Sequence, residues 1–273
     1  RGERERQCRN DGRSEDAERR ADEHHREDAA AAEARGRGDE EGDQLDHDEE
    51  CELTGRVRVR VGEELAGLLR ANGDRTIGTT TTPAKVERLG TVFDEVRVLK
   101  ASDEARLAEA LAADVDALAV CVGPRAAYTE EEREQAYRVA LVDTARSVVR
   151  AVRESGMTGP VVALSSTSVY GSAQDDRDVV VEDGPLTTSD AASPRNFQEM
   201  ERIYLEELPE QACVLRCPEV YGGEEPPIEE SLRAAHKHTG GRLPFAADAL
   251  LYRTHVSDVA AAVRHAVTHR LTG

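Results

Sequence analysis

The sequence predicts a doubly wound α/β fold: a parallel sheet with helices on both faces and a small, looser region near the C-terminus. Two observations carry this. From residue 53 onward, apolar strand-like runs alternate with amphipathic helix patterns, and βαβα alternation implies parallel strands joined by crossover helices. Two of the runs, Val115–Val122 and Pro160–Ser165, are almost continuous hydrophobics, as strands covered on both faces require.

Each element follows from its local pattern. Strands are read at Arg75–Thr79, Glu95–Leu99, Val115–Val122, Pro160–Ser165 and Ala212–Cys217. Before the first of these, Leu65, Leu68 and Leu69 share one helix face. Gly73 then suits the C′ position, where the backbone turns left-handed. Pro83–Leu89 opens with proline, which fits an early helical position. Asp103–Ala113 sets Leu107 and Leu111 one turn apart, with Asp103 as a helix N-cap. A long helix, Thr129–Glu154, begins with Thr129 and Glu132 at capping-box spacing. It then aligns Tyr137, Leu141, Thr144, Val148 and Val152 along one stripe. The later chain is looser. Long Pro-rich loops occupy Thr187–Pro194 and Pro218–Pro227, a helix runs from Ile228 to about His238, Gly240–Arg253 is irregular, and a last helix spans Ser257 to about His269.

Composition narrows the function. The chain has 273 residues and a formal net charge of -19, which argues against a sequence-independent nucleic-acid binder. No apolar run approaches the roughly 18 residues of a membrane-spanning helix, and the first residues show no apolar core of a signal peptide. Five scattered cysteines read as reduced thiols of a cytoplasmic protein. Cys213 and Cys217 lie on one strand face and read as buried inert thiols, so no metal site is expected there.

The charge is uneven: residues 1–52 hold 10 Arg and 20 Asp and Glu, and Leu45 is their single large aliphatic residue. Such a stretch cannot bury enough surface to offset its ordering entropy, so residues 1–55 read as a disordered acidic extension. An interaction tail, a metal-binding tract through His24, His25 and His47, and a merely solvated or spurious extension remain alternatives. Lysine occurs only at Lys85, Lys100 and Lys237. Many carboxylates with few Lys resemble salt-adapted proteins, and a GC-rich genome is the alternative source of the arginines.

Four ordered motifs carry a resemblance. Val161–Gly171 is a strand ending in Ser165 and Ser166, followed by Val169-Tyr170-Gly171. Ser193-Pro194 opens a helix, Val214–Gly222 reads LR-x-P-x-x-YG, and Arg253–Ala260 carries His255-Val256 and Asp258 before a helix. Together these resemble the NAD-dependent epimerase/dehydratase branch of the extended short-chain dehydrogenase/reductase superfamily, over about residues 61–273. Ile77–Pro83 and Cys121–Pro124 further resemble its atypical YeeZ-like members.

The resemblance implies NAD or NADP as cofactor and a sugar nucleotide or similar hydroxylated metabolite as substrate. Ser166 would hydrogen-bond the reacting oxygen. Gly62, Thr79, Thr80, Gly123, Pro124 and Pro218 fall at cofactor-binding positions, and Tyr170, Tyr221, Arg253 and His255 on the substrate side. For His255 with Asp258, a catalytic pair is weighed against a helix-capping role, and the latter is favoured. The expected partners are a small molecule and no nucleic acid or membrane, with a homodimer left open.

Two departures stand out. The family's acid/base Tyr and Lys fall on Arg195 and Glu199, which suit an i,i+4 ion pair better than proton transfer. The usual mechanism is therefore expected to be absent, which leaves an atypical enzyme or a non-catalytic sensing module. Of the G-x-G-x-x-G fingerprint only Gly62 is present, and Glu63 and Glu64 follow it. Arg56–Val61 alternates strictly, unlike a strand covered on both faces. Either cofactor binding has been lost, or the segment before about Val61 is an extension that replaced the first strand and turn, the reading favoured here. The domain over residues 56–273 is thus expected to lack its first Gly-rich turn and its C-terminal end.

Overall fold

The computed structural model describes residues 61–112, 115–124, 129–171, 180–223 and 252–273. The acidic extension, the expected strand at 56–60, the expected helix at 228–238 and most of the expected irregular segment 240–253 lie outside these residues.

The elements run α1 (Val61–Ala71), β1 (Ile77–Thr80), a 3-10 turn (Pro83–Lys85) leading into α2 (Val86–Leu89), β2 (Glu95–Val98), α3 (Glu104–Ala112) and β3 (Leu118–Val120). Then follow α4 (Glu130–Tyr137), a π-helical segment (Arg138–Asp143), α5 (Thr144–Ser155), β4 (Val161–Ser166), a 3-10 turn (Thr167–Tyr170) and α6 (Ala192–Glu207). The chain closes with β5 (Ala212–Cys217), β6 (Glu219–Tyr221), β7 (Arg253–His255) and α7 (Val256–His269). Every described strand pairing is parallel: β1 with β2, β3–β4–β5 in that order, and β6 with β7.

The central sheet is covered on both faces, which is why β4 reads as one apolar run. Val161 and Ala163 point into a core built with α3, α5 and α6. Val162, with Cys213 of β5, points to the opposite face against α1 and α7. Both valines are 0% exposed, a burial that contributes about 1.5–3 kcal/mol each relative to an exposed side chain. Gly273 returns to the sheet, donating to the Ala212 carbonyl at 3.0 Å and accepting from the Val214 N–H at 2.8 Å.

Local signals set most boundaries. Thr129 and Glu132 form the expected capping box. Asp103 accepts from the Arg106 N–H at 3.3 Å, as an N-cap does. Gly73 has φ +92°, the left-handed ending of α1.

Four expectations need correction. Val61 is the first residue of α1 and not a strand end, because its side chain completes the apolar stripe packed against α7. The strand expected over Val115–Val122 is only Leu118–Val120 long, since pairing with β4 is confined to those residues. The long helix is interrupted by a π segment, where the Thr144 hydroxyl donates to the Val139 carbonyl at 3.1 Å. Arg253, expected in an irregular stretch, lies in β7, where its register sets it opposite Glu219.

Tyr204 of α6 is fully buried, and its hydroxyl has no hydrogen-bond partner among the described residues. Burial alone pushes its ionisation well above the ordinary phenol range. An unpaired buried hydroxyl opposes folding, so Tyr204→Phe is expected to raise stability by about 1 kcal/mol, read as a higher urea midpoint with unchanged slope.

Candidate functional site

Parallel register brings the carboxyl ends of β3, β4 and β5 to one sheet edge, where ligands of doubly wound folds bind. Gly123 and Pro124 follow β3, Ser166 ends β4, and Pro218 follows β5. Of the sequence-predicted residues, these are the ones that topology places along that edge.

Ser166 is half-buried and caps the turn that follows it: its hydroxyl oxygen accepts from the Ser168 N–H at 3.1 Å. One lone pair is thereby used, which leaves the hydroxyl proton for donation to another acceptor. The turn is fastened to α6 by a Ser168–Ser193 hydroxyl pair at 3.1 Å and by Gln198, which donates to the Val169 and Thr187 carbonyls at 3.3 and 2.9 Å.

Beneath the turn lies a buried polar network that sequence reading missed. The Glu201 carboxylate, 3% exposed, accepts from the Ser165 hydroxyl at 2.5 Å and from Arg216 Nη2 at 2.8 Å and Nε at 3.1 Å. Arg216 spends its remaining nitrogen on the Tyr170 hydroxyl at 2.7 Å and the Glu182 carbonyl at 2.8 Å. Its guanidinium also stands 4.9 Å from the Tyr170 ring centroid. The network fixes Tyr170 and the chain at Glu182 to the end of β5. One signal was available: a charged residue inside the apolar run Val214–Cys217 demands a buried partner. Nothing local said which residue that was.

The positions expected for the acid/base pair are locked elsewhere, and the Arg195–Glu199 ion pair is not formed. Arg195 pairs with Glu134 of α4, whose carboxylate also accepts from Asn196 at 3.3 Å. Glu199 pairs with Arg202 at 3.0 Å and with Arg146 of α5 at 3.3 Å. The Arg202 guanidinium, with Arg146 adding to it, holds the Glu199 carboxyl below its usual range. Glu134 on α4 takes Arg195, while Glu199 is shared between Arg202 on its own helix and Arg146 on α5, so neither charge is left to the i,i+4 neighbour. A guanidinium and a well-stabilised carboxylate exchange no proton near neutral pH.

Of the residues expected on the substrate side, Tyr221 is flanked by the Arg253 guanidinium at 4.9 Å and by the His255 ring, edge-on at 5.3 Å. Arg253 also pairs with Glu219 at 3.2 Å. His255 is the N-cap of α7: its Nδ1 lies 2.7 Å from the Ser257 hydroxyl and accepts from the Ser257 N–H at 3.3 Å. The capping role thus holds, and its described bonds run to Ser257. Gly222 has φ +101°, and a Cβ there would collide with the His255 ring, so this contact requires glycine.

The cofactor positions divide. Glu63, at the N-terminus of α1, is held by both Arg88 nitrogens at 2.8 and 2.9 Å, which draws its charge from the helix end where a phosphate would sit. Thr79 is exposed after β1's glycine, while Thr80 is committed to the next turn, its hydroxyl accepting from the Thr82 N–H at 3.1 Å. A Cβ on Gly62 would meet no described atom within 4 Å, so no described neighbour demands glycine there. Cys213 is buried and Cys217 half-buried, and burial pushes the Cys121 thiol up to about 12 and the Cys217 thiol up to about 11.

The family model of the NAD dependent epimerase/dehydratase family matches residues 60–273. The chain belongs to this family. A search of curated proteins finds no match. Among solved structures, UDP-glucose-4-epimerase from Stenotrophomonas maltophila, with bound NAD and formylated UDP-arabinopyranose, is 19% identical. That likeness covers 76% of this chain and 70% of the epimerase, with a TM-score of 0.59. UDP-glucose 4-epimerase from Bifidobacterium longum, in complex with NAD+ and UDP, is 15% identical over 78% of this chain and 72% of its own, with a TM-score of 0.61. The dTDP-glucose 4,6-dehydratase DesIV double mutant from Streptomyces venezuelae, with NAD and DAU bound, is 19% identical over 76% and 68%, with a TM-score of 0.57. At these identities the likeness shows a shared Rossmann fold. Among the described residues, no helix of this family member is long and apolar enough to cross a membrane.

Proposed function

We propose that the chain is an NAD(P)-binding, epimerase- or dehydratase-like protein acting on a sugar nucleotide or similarly hydroxylated metabolite without the Tyr–Lys pair. The observation that carries this is Ser166, held at the carboxyl end of β4 with its hydroxyl oxygen accepting from the turn, which leaves its own proton for donation. That arrangement suits donation to a ligand oxygen. The N-terminus of α1 at Gly62, relieved of Glu63's charge by Arg88, would hold the dinucleotide phosphates, and Thr79 and Thr80 its adenosine end. Gly123, Pro124 and Pro218 line the edge between, and Tyr170, Tyr221, Arg253 and His255 face the substrate. A bound dinucleotide would supply hydride transfer.

A second reading, a dinucleotide- or metabolite-sensing module without turnover, is favoured by one specific observation: Arg195 and Glu199 are both held in interhelical ion pairs. Calorimetric titration with NAD+, NADPH and UDP-glucose, followed by incubation with a panel of UDP- and dTDP-sugars, separates the two. Turnover that falls about 10²-fold in Ser166→Ala, with cofactor binding retained, supports the enzyme. Dinucleotide binding with no turnover across the panel supports the sensor. A chain that binds neither dinucleotide refutes both.

A further inference from the structure

We propose that His265 and His269 form a two-imidazole site for a divalent transition-metal ion, with copper(II) preferred. The two residues lie one turn apart on the exposed face of α7, remote in sequence from Ser166 and the motifs around it. Histidines at i and i+4 share a helix face, the spacing by which helices present two imidazole ligands to one ion.

The two ring centroids are 4.2 Å apart and the planes are tilted by 51°. Rings this close are within the reach of one ion bound about 2.0–2.1 Å from a nitrogen of each. Affinity order at nitrogen sites favours copper(II) over nickel(II) and zinc.

The surroundings set how the ion is held. Among the described residues, no group of three or more His, Cys, Asp or Glu side chains is arranged for a metal, so water completes the coordination. Arg264 and Arg270 flank the pair in sequence, and their charges do not attract a cation. The last turn of α7 contributes the negative end of the helix dipole. Chelation by two rings one helical turn apart therefore supplies most of the affinity, and losing either ring should cost nearly as much as losing both.

The test is calorimetric titration of the full chain with copper(II), nickel(II) and zinc chlorides at mildly alkaline pH, joined to electron paramagnetic resonance of the one-equivalent copper adduct. The expected result is one copper-binding step with superhyperfine splitting from two nitrogens. His265→Ala and His269→Ala should each weaken that step about 10²-fold, the size of a lost chelate. The double variant should be no weaker than either single one. Circular dichroism melts unchanged by these exposed substitutions would show that the fold is intact. A copper step unaltered in the double variant would overturn the proposal and place the ion on other histidines, such as His24, His25 or His47. Single variants weakened only about twofold would overturn chelation, and zinc binding tighter than copper(II) would overturn the stated preference.

Discussion

Replacing Glu201 with alanine is expected to lower the unfolding free energy by about 3 kcal/mol, because it strands a cation and a hydroxyl at once. The Glu201 side chain is 5% exposed and that of Arg216 only 22%, so little water can replace the lost carboxylate. Ser165 loses the acceptor it now holds at 2.5 Å, and Arg216 keeps only neutral acceptors, the Tyr170 hydroxyl and the Glu182 carbonyl. The partial exposure of Arg216 keeps the cost at the low end of what breaking a buried pair brings. Glu201→Gln preserves shape and one acceptor oxygen and should cost about half as much. Replacing both partners, Glu201→Met with Arg216→Met, should recover most of the loss, since the penalty lies in the unpaired charge and not in the pair's net worth. Urea unfolding of the four proteins decides the matter. Equal losses for Ala and Gln, or a double variant worse than either single one, would show that Glu201 acts by packing alone.

Gly159→Ala is the second large effect, expected at about 2–3 kcal/mol. Gly159 precedes β4, and a Cβ built on it lies inside the Asp116 carbonyl group, a backbone atom with no freedom to rotate away. The neighbouring backbone is tightly engaged. Leu118 donates to Pro160 at 2.9 Å, Val161 to the Gln211 carbonyl at 2.9 Å, and the Gln211 side chain to the Gly159 carbonyl at 3.0 Å. Relief of the clash must part β3 from β4 or loosen β4 from the chain before β5. Gly67 is the control. It lies within α1, no described atom approaches within 4 Å of its virtual Cβ, and Gly67→Ala should stabilise by roughly 1 kcal/mol. A thermal midpoint no lower for Gly159→Ala than for Gly67→Ala would refute the close-approach argument.

The sequence by itself determined those features that depend on neighbours along the chain. Strand runs around Val161 and Ala212, the stripe from Leu141 to Val152, the Thr129 cap and the left-handed Gly73 are each written within a few residues. Backbone periodicity and capping chemistry operate over that range. Ser166 was legible because it ends a strand inside a recognisable motif, and the capping role of His255 because Ser257 is two residues away. Tertiary structure decided the rest. Arg195 pairs with a carboxylate on another helix, and Asn196 and Glu199 each add to a partner on their own helix one from another, with Asn196 62 residues from Glu134 and Glu199 53 residues from Arg146. Glu201 meets Arg216 across 15 residues, and Gly159 meets Asp116 only because two strands run side by side. A charge in a folded chain takes the partner that packing brings within reach, so an i,i+4 pair predicted from spacing loses to a carboxylate on the next helix. The same competition made Arg195 and Glu199 a clamp between helices.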